Sequence, residues 1–159
     1  MGLFKRKKKG YIYSPCDGEI VPLSEVNDEV FSSGALGEGF AVIPSSNNFY
    51  APMEARVENA YETGHAYTLF SKNEIDLLVH IGIDTVELDG CYFTKKVAGG
   101  QSVTTNDILA EADINKIKEK GFDPITVVIV SNPEKIKNID IKYGKCYHGD
   151  IAMEYDEVN

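Results

Sequence analysis

The sequence predicts an all-β protein, an antiparallel β-sandwich or barrel with one short helix. Two observations lead to this fold class. Short segments rich in Val, Ile, Tyr and Phe, several with alternating polarity, recur between residues that favour turns. Only residues 113–120 have a helical pattern, in which Asp113 can cap the start and Gly121 the end. Eight or nine strands with a single helix favour sheets that bury their apolar faces against each other.

The strands are expected to follow one another closely, and two of the turns between them are similar. Residues 14–20 and 51–57 share the pattern small–Pro–x–acidic–small–x–aliphatic. In each, proline stiffens the entry to a turn and an aliphatic residue resumes the strand, which predicts two related halves. The predicted strands cover residues 18–22, 39–44, 53–61, 63–70, 75–83, 91–97, 125–131 and 140–143, with a last strand near 150–155.

The second of these turns is also typical of biotinyl and lipoyl domains. Those domains carry the modified lysine at the tip of the turn, where this sequence has Met53, Glu54 and Ala55. A carrier function of that type therefore lacks its attachment point.

Charge divides the chain into a basic, flexible tail (residues 1–10) and a single domain (residues 11–159). Residues 5–9 carry five positive charges, and since the net charge of the whole chain is −9, the remainder carries −14. An acidic body repels nucleic acid, so no nucleic-acid partner is expected. The tail could make a peripheral contact with an anionic membrane surface, or serve only as a solubilising segment.

Apolar runs and cysteines limit the cellular context. No run reaches the roughly 18 to 20 apolar residues that cross a bilayer, and residues 1–10 lack the apolar stretch of a secretory signal. A cytoplasmic protein is therefore expected. Cys16, Cys91 and Cys146 form no CxxC pair, which disfavours a disulfide framework or a structural zinc site and predicts buried or half-buried thiols.

Two of the three histidines, His65 and His80, fall in adjacent predicted strands. A hairpin centred on Lys72 and Asn73 would place them directly opposite each other, with Cβ atoms about 4.5 to 5.5 Å apart. Both histidines would then lie on the exposed face, although a one-residue bulge would change this register. The opposite, core face would carry Ala66, Thr68, Phe70, Ile75, Leu77, Val79 and Ile81.

Such a histidine pair suits phosphoryl transfer. Neutral imidazole is nucleophilic near pH 7 and can hold a phosphoryl group reversibly as phosphohistidine. The N–H group of the second imidazole and the Thr63 hydroxyl can donate hydrogen bonds to the phosphoryl oxygens. Gly82 leaves room for a close approach by a partner protein. His148 is expected to be an isolated surface residue.

The same pair could instead hold a zinc ion. His65 and His80 would then need a third ligand, from Asp84 or from a partner chain. A zinc hydrolase is disfavoured. The cell-wall peptidases that resemble the predicted fold also need a downstream His-x-His motif, and only His148 is available there.

At these residues the chain resembles the glucose-family IIA domain of the phosphoenolpyruvate-dependent sugar phosphotransferase system. Residues 79–90 (VHIGIDTVELDG) are similar to the phosphorylation-site signature of that family, and residues 63–66 (TGHA) are similar to its second-histidine motif. Residues 1–4 resemble the amphipathic start of stand-alone members. Shorter matches lie at residues 14–18, 28–31, 37–39, 51–52, 100–101 and 130–132.

The resemblance implies an antiparallel β-sandwich of the duplicated hybrid motif type, with the histidines in a shallow depression and no required cofactor. His80 would accept a phosphoryl group on Nε2 from the phosphocarrier protein HPr and pass it to a cysteine of a sugar-specific IIB domain of a IIB/IIC permease. His65 would stabilise the phosphoryl group, Thr63 would hydrogen-bond at the site, and Asp28 and Asp84 would flank it. An exposed apolar docking ring would consist of Val30, Phe31, Leu36, Tyr61, Leu78 and Val86.

Three features depart from the family pattern. Tyr67 and Thr68 replace the small apolar pair usual after His-Ala, Asn106 stands where glycine is usual, and the tail is more basic. An alternative is a regulatory protein-binding module of the same fold that has lost transfer activity. A working carrier could also bind regulatory target proteins.

Overall fold

The computed structural model describes residues 8–158, which form fourteen strands, two short α-helices and three 3-10 segments. The strands are β1 (Lys9–Tyr13), β2 (Gly18–Val21), β3 (Glu38–Pro44), β4 (Asn48–Tyr50), β5 (Ala55–Ala60), β6 (Ala66–Phe70), β7 (Asp76–Ile81), β8 (Phe93–Lys95), β9 (Ser102–Val103), β10 (Ile108–Ala112), β11 (Thr126–Val130), β12 (Ile136–Ile141), β13 (Gly144–Cys146) and β14 (Ile151–Glu157). The helices are α1 (Glu29–Ser32) and α2 (Ile114–Glu119), and the 3-10 segments are Leu23–Glu25, Thr85–Leu88 and Pro133–Lys135.

The strands form one large sheet and two small ones. The large sheet has the order β13-β2-β3-β11-β7-β6-β5-β9, and the small sheets have the orders β1-β14-β12 and β4-β10-β8. The pairings between these strands are antiparallel. The main core joins all three sheets through buried side chains such as Val79, Leu109 and Met153. The predicted all-β antiparallel sandwich is confirmed.

The two similar turns lie side by side and are joined reciprocally. The Tyr13 N–H group donates to the Pro52 carbonyl at 2.8 Å, and the Tyr50 N–H group donates to the Pro15 carbonyl at 2.7 Å. Tyr13 and Tyr50 occupy equivalent positions before the two repeats, as do Pro15 and Pro52 within them. This symmetric exchange is what two related halves would produce.

The centre of the large sheet is buried on both faces. The outer face carries a second apolar cluster, which includes Phe31 of α1, Ala41 of β3 and Val127 of β11. All five residues of β11 are consequently buried, as expected of a strand covered on both sides. His80 pairs with Val127 and therefore lies on the outer face, beside α1.

The β6–β7 hairpin differs from its predicted register by one residue. Ala66, and not His65, pairs with His80, because the connecting turn covers residues 71–75 and so takes in Ile75, one residue more than predicted. Within this turn, Glu74 has a φ of 64°. A shift of one residue exchanges the two faces of a strand. Tyr67 and Leu69 of β6 therefore lie in the core. The predicted core face is wrong for Ala66, Thr68 and Phe70, which share the outer face with His80, and correct for Ile75, Leu77, Val79 and Ile81.

The ends of several predicted elements are also corrected. Lys9 and Gly10, assigned to the flexible tail, belong to β1 and pair with β14, while residues 1–7 lie outside the described part of the chain. Helix α2 begins as predicted, since the Asp113 carboxylate accepts from the Lys116 N–H group at 3.1 Å. Gly121, with a φ of 88°, follows its end. The sequence did not predict α1, so the expectation of one helix is wrong.

Two further sequence-based expectations can be compared with residues 8–158. Cys16 and Cys146 are buried as predicted, whereas Cys91 is exposed. No helix in this part of the chain has both the length and the apolar character needed to cross a membrane.

Candidate functional site

His80 lies in β7, in the middle of the large sheet, with its ring half-buried on the outer face. Its Nδ1 atom is 2.8 Å from the carbonyl oxygen of Gly82. A carbonyl oxygen only accepts hydrogen bonds, so Nδ1 must carry the proton. In the neutral ring, Nε2 is then unprotonated, and its lone pair is available for bond formation.

Gly82 can present its carbonyl in this way because the chain turns sharply where β7 ends. Its φ is 81°, and a Cβ atom at this position would lie 2.3 Å from Cγ2 of Thr85. Thr85 is fully buried below it and donates its hydroxyl to the Ile81 carbonyl at 2.5 Å. Gly82 is itself buried, which corrects the expectation that it makes room for a partner protein. Its role is to orient His80.

His65 lies next to His80, although the two residues are not a cross-strand pair. It immediately precedes β6, and its carbonyl accepts from the Ile81 N–H group at 2.7 Å. The two imidazole centroids are 4.9 Å apart, with the rings nearly perpendicular at 81°. His65 is only 3% exposed, so its predicted place on the exposed face is wrong. The sequence correctly predicted that the two rings lie close together, but it wrongly predicted that the residues are paired across two strands.

Thr63 contacts the His65 ring at Nδ1. Its hydroxyl oxygen is 2.6 Å from Nδ1 of His65. When the hydroxyl donates this hydrogen bond, the neutral ring carries its own proton on Nε2. Thr63 can therefore set the tautomer that makes His65 a hydrogen-bond donor.

Burial keeps both imidazoles neutral near pH 7. Burial, with a smaller contribution from the charge of His80, lowers the pKa of His65 to about 4. Burial also lowers the pKa of His80, against the opposing effects of the Gly82 hydrogen bond and the carboxylates of Asp28 and Asp84. A neutral His80 retains the lone pair that a nucleophile needs.

Aromatic rings enclose the pair. Phe31 lies 5.1 Å from His80 between ring centroids, and Tyr61 lies 5.7 Å from His65. The Phe93 ring, 6.5 Å from His65, was not identified from the sequence. Its position depends on the pairing of β8 with β10, a strand that the sequence pattern missed.

The residues expected to form a docking ring differ in their exposure. Phe31 is only 7% exposed, which corrects its expected exposure and makes it a wall of the site. Leu78 is half-buried. Asp28 caps α1 by accepting from the Val30 N–H group at 2.9 Å, and Asp84 lies exposed after β7. The exposed members are Val30, Leu36, Tyr61 and Val86.

The two histidines are the metal-binding side chains that the site offers. Among residues 8–158, no group of three or more His, Cys, Asp and Glu side chains could hold a metal ion. A zinc ion on His65 and His80 would need ligands from outside this part of the chain. His148 is exposed and stacks on Tyr50 at a centroid distance of 3.8 Å, so it is a surface residue as expected.

A family model matches most of the chain. The model for the phosphoenolpyruvate-dependent sugar phosphotransferase system, EIIA 1, covers residues 10–136. The PTS system glucose-specific EIIA component of Buchnera aphidicola is 39% identical over 150 residues, which cover 94% of this chain and 93% of that protein.

Two other relatives are longer proteins. The PTS system beta-glucoside-specific EIIBCA component of Halalkalibacterium halodurans is 45% identical over 125 residues, which cover 79% of this chain and 20% of that protein. The PTS system glucose-specific EIICBA component of Streptococcus pneumoniae is 39% identical over 131 residues, which cover 82% of this chain and 18% of that protein. The chain therefore spans about a fifth of the length of each.

A solved structure has the same fold. The glucose permease IIA from Mycoplasma capricolum matches with a TM-score of 0.87 and 35% sequence identity, over 96% of this chain and 99% of that one.

The Gly82→Ala substitution tests the backbone geometry behind His80. Gly100→Ala is a matched control, since Gly100 has a φ of 90° but no atom near its Cβ position. Both substitutions strain the backbone, and only Gly82→Ala also overlaps Thr85. Urea unfolding should show that Gly82→Ala lowers the free energy of unfolding by about 1 to 3 kcal/mol more than Gly100→Ala. Equal losses would contradict the contact with Thr85.

The pH dependence of stability tests the burial of His65. Its pKa of about 4 in the folded protein is below the unfolded value of 6.5, so the unfolded chain takes up the proton first as the pH falls. The stability that the neutral His65 allows is fully present above pH 6.5 and is lost as the pH falls towards 4. The free energy of unfolding should change by at most about 1.4 kcal/mol per pH unit in this range. His65→Gln should reduce this dependence on pH when the free energy of unfolding is measured in urea from roughly pH 7.5 to 4.5. His148→Gln, an exposed control, should retain it, and a slope unchanged by His65→Gln would count against the buried neutral imidazole.

Proposed function

The chain belongs to the EIIA 1 family of the phosphoenolpyruvate-dependent sugar phosphotransferase system, and we propose that His80 is its phosphoryl-carrying residue. The resemblance to glucose-family IIA domains found in the sequence is thereby confirmed. In the proposed reaction, Nε2 of His80 accepts a phosphoryl group from phosphorylated HPr and passes it to a cysteine of a sugar-specific IIB domain. The proposed transfer uses no cofactor.

One observation carries the choice of atom. The hydrogen bond between Nδ1 of His80 and the Gly82 carbonyl leaves Nε2 as the nitrogen with a free lone pair. The lowered pKa of His80 keeps that lone pair available at neutral pH. The carbonyl also stabilises the positive charge that the ring acquires while a bond forms at Nε2.

The proposed steps conserve the phosphoryl group. In the first, the P–N bond of phosphorylated HPr breaks as a P–N bond forms at Nε2 of His80, and the HPr imidazole recovers its lone pair. In the second, a IIB cysteine thiolate attacks phosphorus, a P–S bond forms, and Nε2 of His80 is released. In both, charge spreads over the phosphoryl oxygens, which the N–H group of His65 stabilises by donating a hydrogen bond.

The surface around the pair suits a protein donor and a protein acceptor. Val30, Leu36, Tyr61 and Val86 are each 39% to 54% exposed, although large apolar side chains are usually buried. An apolar ring of this kind around a shallow reactive centre is typical of protein docking sites. We propose HPr and a IIB/IIC permease as the partners, with Asp28 and Asp84 at the edge of the interface. Regulatory target proteins would use the same ring.

Phosphorylation in a reconstituted system tests His80. After incubation with labelled phosphoenolpyruvate, enzyme I and HPr, the chain should carry acid-labile, base-stable phosphate. His80→Ala should remove the label, because no other side chain at the site has the free imidazole nitrogen of His80. His148→Ala, which removes a histidine stacked on Tyr50, should label normally. The proposal is wrong if the wild-type chain stays unlabelled or if His80→Ala is labelled.

Onward transfer tests His65. His65→Gln should still become labelled, but it should pass the phosphoryl group to a IIB domain about 100-fold more slowly, as expected for the loss of one pre-placed donor. Rapid-quench measurement of the loss of label from the purified phosphoprotein gives this rate. Transfer at the wild-type rate would eliminate the role assigned to His65.

A further inference from the structure

A tyrosine hydroxyl holds the turn that carries His65 from inside the core. Tyr67 is fully buried, and its hydroxyl donates to the Gly64 carbonyl at 2.9 Å. Its side chain lies in the main core, so the hydroxyl reaches the turn from the side away from solvent. Burial raises the pKa of Tyr67 well above its ordinary value, and the group therefore remains a donor. Tyr67 is also one of the positions where the sequence departs from the family pattern.

The peptide groups on both sides of His65 are fixed. Tyr67 binds the Gly64 carbonyl, and the Ile81 N–H group binds the His65 carbonyl at 2.7 Å. Gly64 has a φ of 75°, and a Cβ atom there would lie 3.1 Å from Cβ of Phe93, so the turn is also enclosed on its other side. The Gly64–His65 peptide cannot rotate without breaking a buried hydrogen bond. The orientation of this peptide sets the direction of the His65 side chain.

We propose that Tyr67 is a positioning residue for phosphoryl transfer, whose buried hydroxyl holds the Gly64 carbonyl and so fixes the direction in which His65 meets a phosphoryl group on His80. A pre-placed donor is effective only when its position varies by no more than about 0.5 Å. Tyr67 supplies the constraint at the backbone, and Thr63 supplies it at the ring, 2.6 Å from Nδ1. The kinetic consequence rests on the proposed function, whereas the structural consequence does not.

The Tyr67→Phe substitution removes one oxygen atom and keeps the ring that packs in the core. The Gly64 carbonyl then lacks its partner, and the turn gains freedom to move. In the unphosphorylated protein, NMR should show changed ¹⁵N shifts of the His65 ring. It should also show a His65 pKa above about 4, because water reaches the ring more readily. In the phosphorylated protein, transfer to a IIB domain should slow by about 3- to 30-fold.

Tyr155→Phe is the matched control. Tyr155 is a second tyrosine of the same core, 5% exposed and located in β14, away from His65. It reports the loss of a tyrosine hydroxyl from another part of the same core, without an effect on the turn. We expect wild-type His65 shifts and a wild-type transfer rate for this variant.

The outcomes separate the two proposals. If the wild-type chain accepts no phosphoryl group, the proposed function fails, while the NMR measurement still tests the positioning of His65. If Tyr67→Phe loses stability but keeps the wild-type His65 shifts and transfer rate, Tyr67 is only a core residue and the inference is overturned. If Tyr67→Phe does not fold, NMR of the wild-type chain provides the test. A slowly exchanging Tyr67 hydroxyl proton close to Gly64 supports the inference, and its absence overturns it.

Discussion

The hydrogen bond from Nδ1 of His80 to the Gly82 carbonyl is the interaction on which the rest of the site depends, because it decides which imidazole nitrogen can react. The carbonyl is available only where β7 ends and the chain turns through a φ of 81° at Gly82. That turn is held by the buried Thr85 and by the Gly82 N–H group, which donates to the Ile125 carbonyl at 3.0 Å. The chemistry of one ring thus depends on the pairing at the end of a central strand.

Burial on both faces of the sheet gives this site its electrostatic character. The cluster around α1 covers β3 and β11 and brings Phe31 against His80. Loss of water lowers the pKa of His80, while Asp28 and Asp84 raise it. The net effect still favours the neutral ring. The result is a neutral imidazole that keeps its proton on Nδ1 and leaves Nε2 unprotonated near pH 7.

The sequence predicted the fold class and the meeting of His65 with His80, because both follow from patterns that extend over many residues. It failed where one residue decides the outcome. The turn between β6 and β7 takes in Ile75 as a fifth residue, with Glu74 in a left-handed conformation, and this shifts the hairpin by one position. No local sequence pattern predicts the longer turn. Two-residue and three-residue strands such as β9 and β4 depend on their neighbours and not on their own composition. The acceptor for His80 is a backbone carbonyl, which side-chain motifs do not show.

A neutral imidazole at position 65 suits the proposed carrier site, which would exist both with and without a phosphoryl group. An arginine or lysine there would place a buried charge beside an empty site, and such a charge is costly to desolvate. With His80 unmodified, burial and, to a smaller extent, the charge of a protonated His80 lower the pKa of His65. A phosphoryl group on Nε2 would reverse the sign of the charge effect, because its negative charge favours a proton on His65. The His65 ring would therefore become a stronger hydrogen-bond donor when the phosphoryl group is bound, and it would carry no charge when the phosphoryl group is absent.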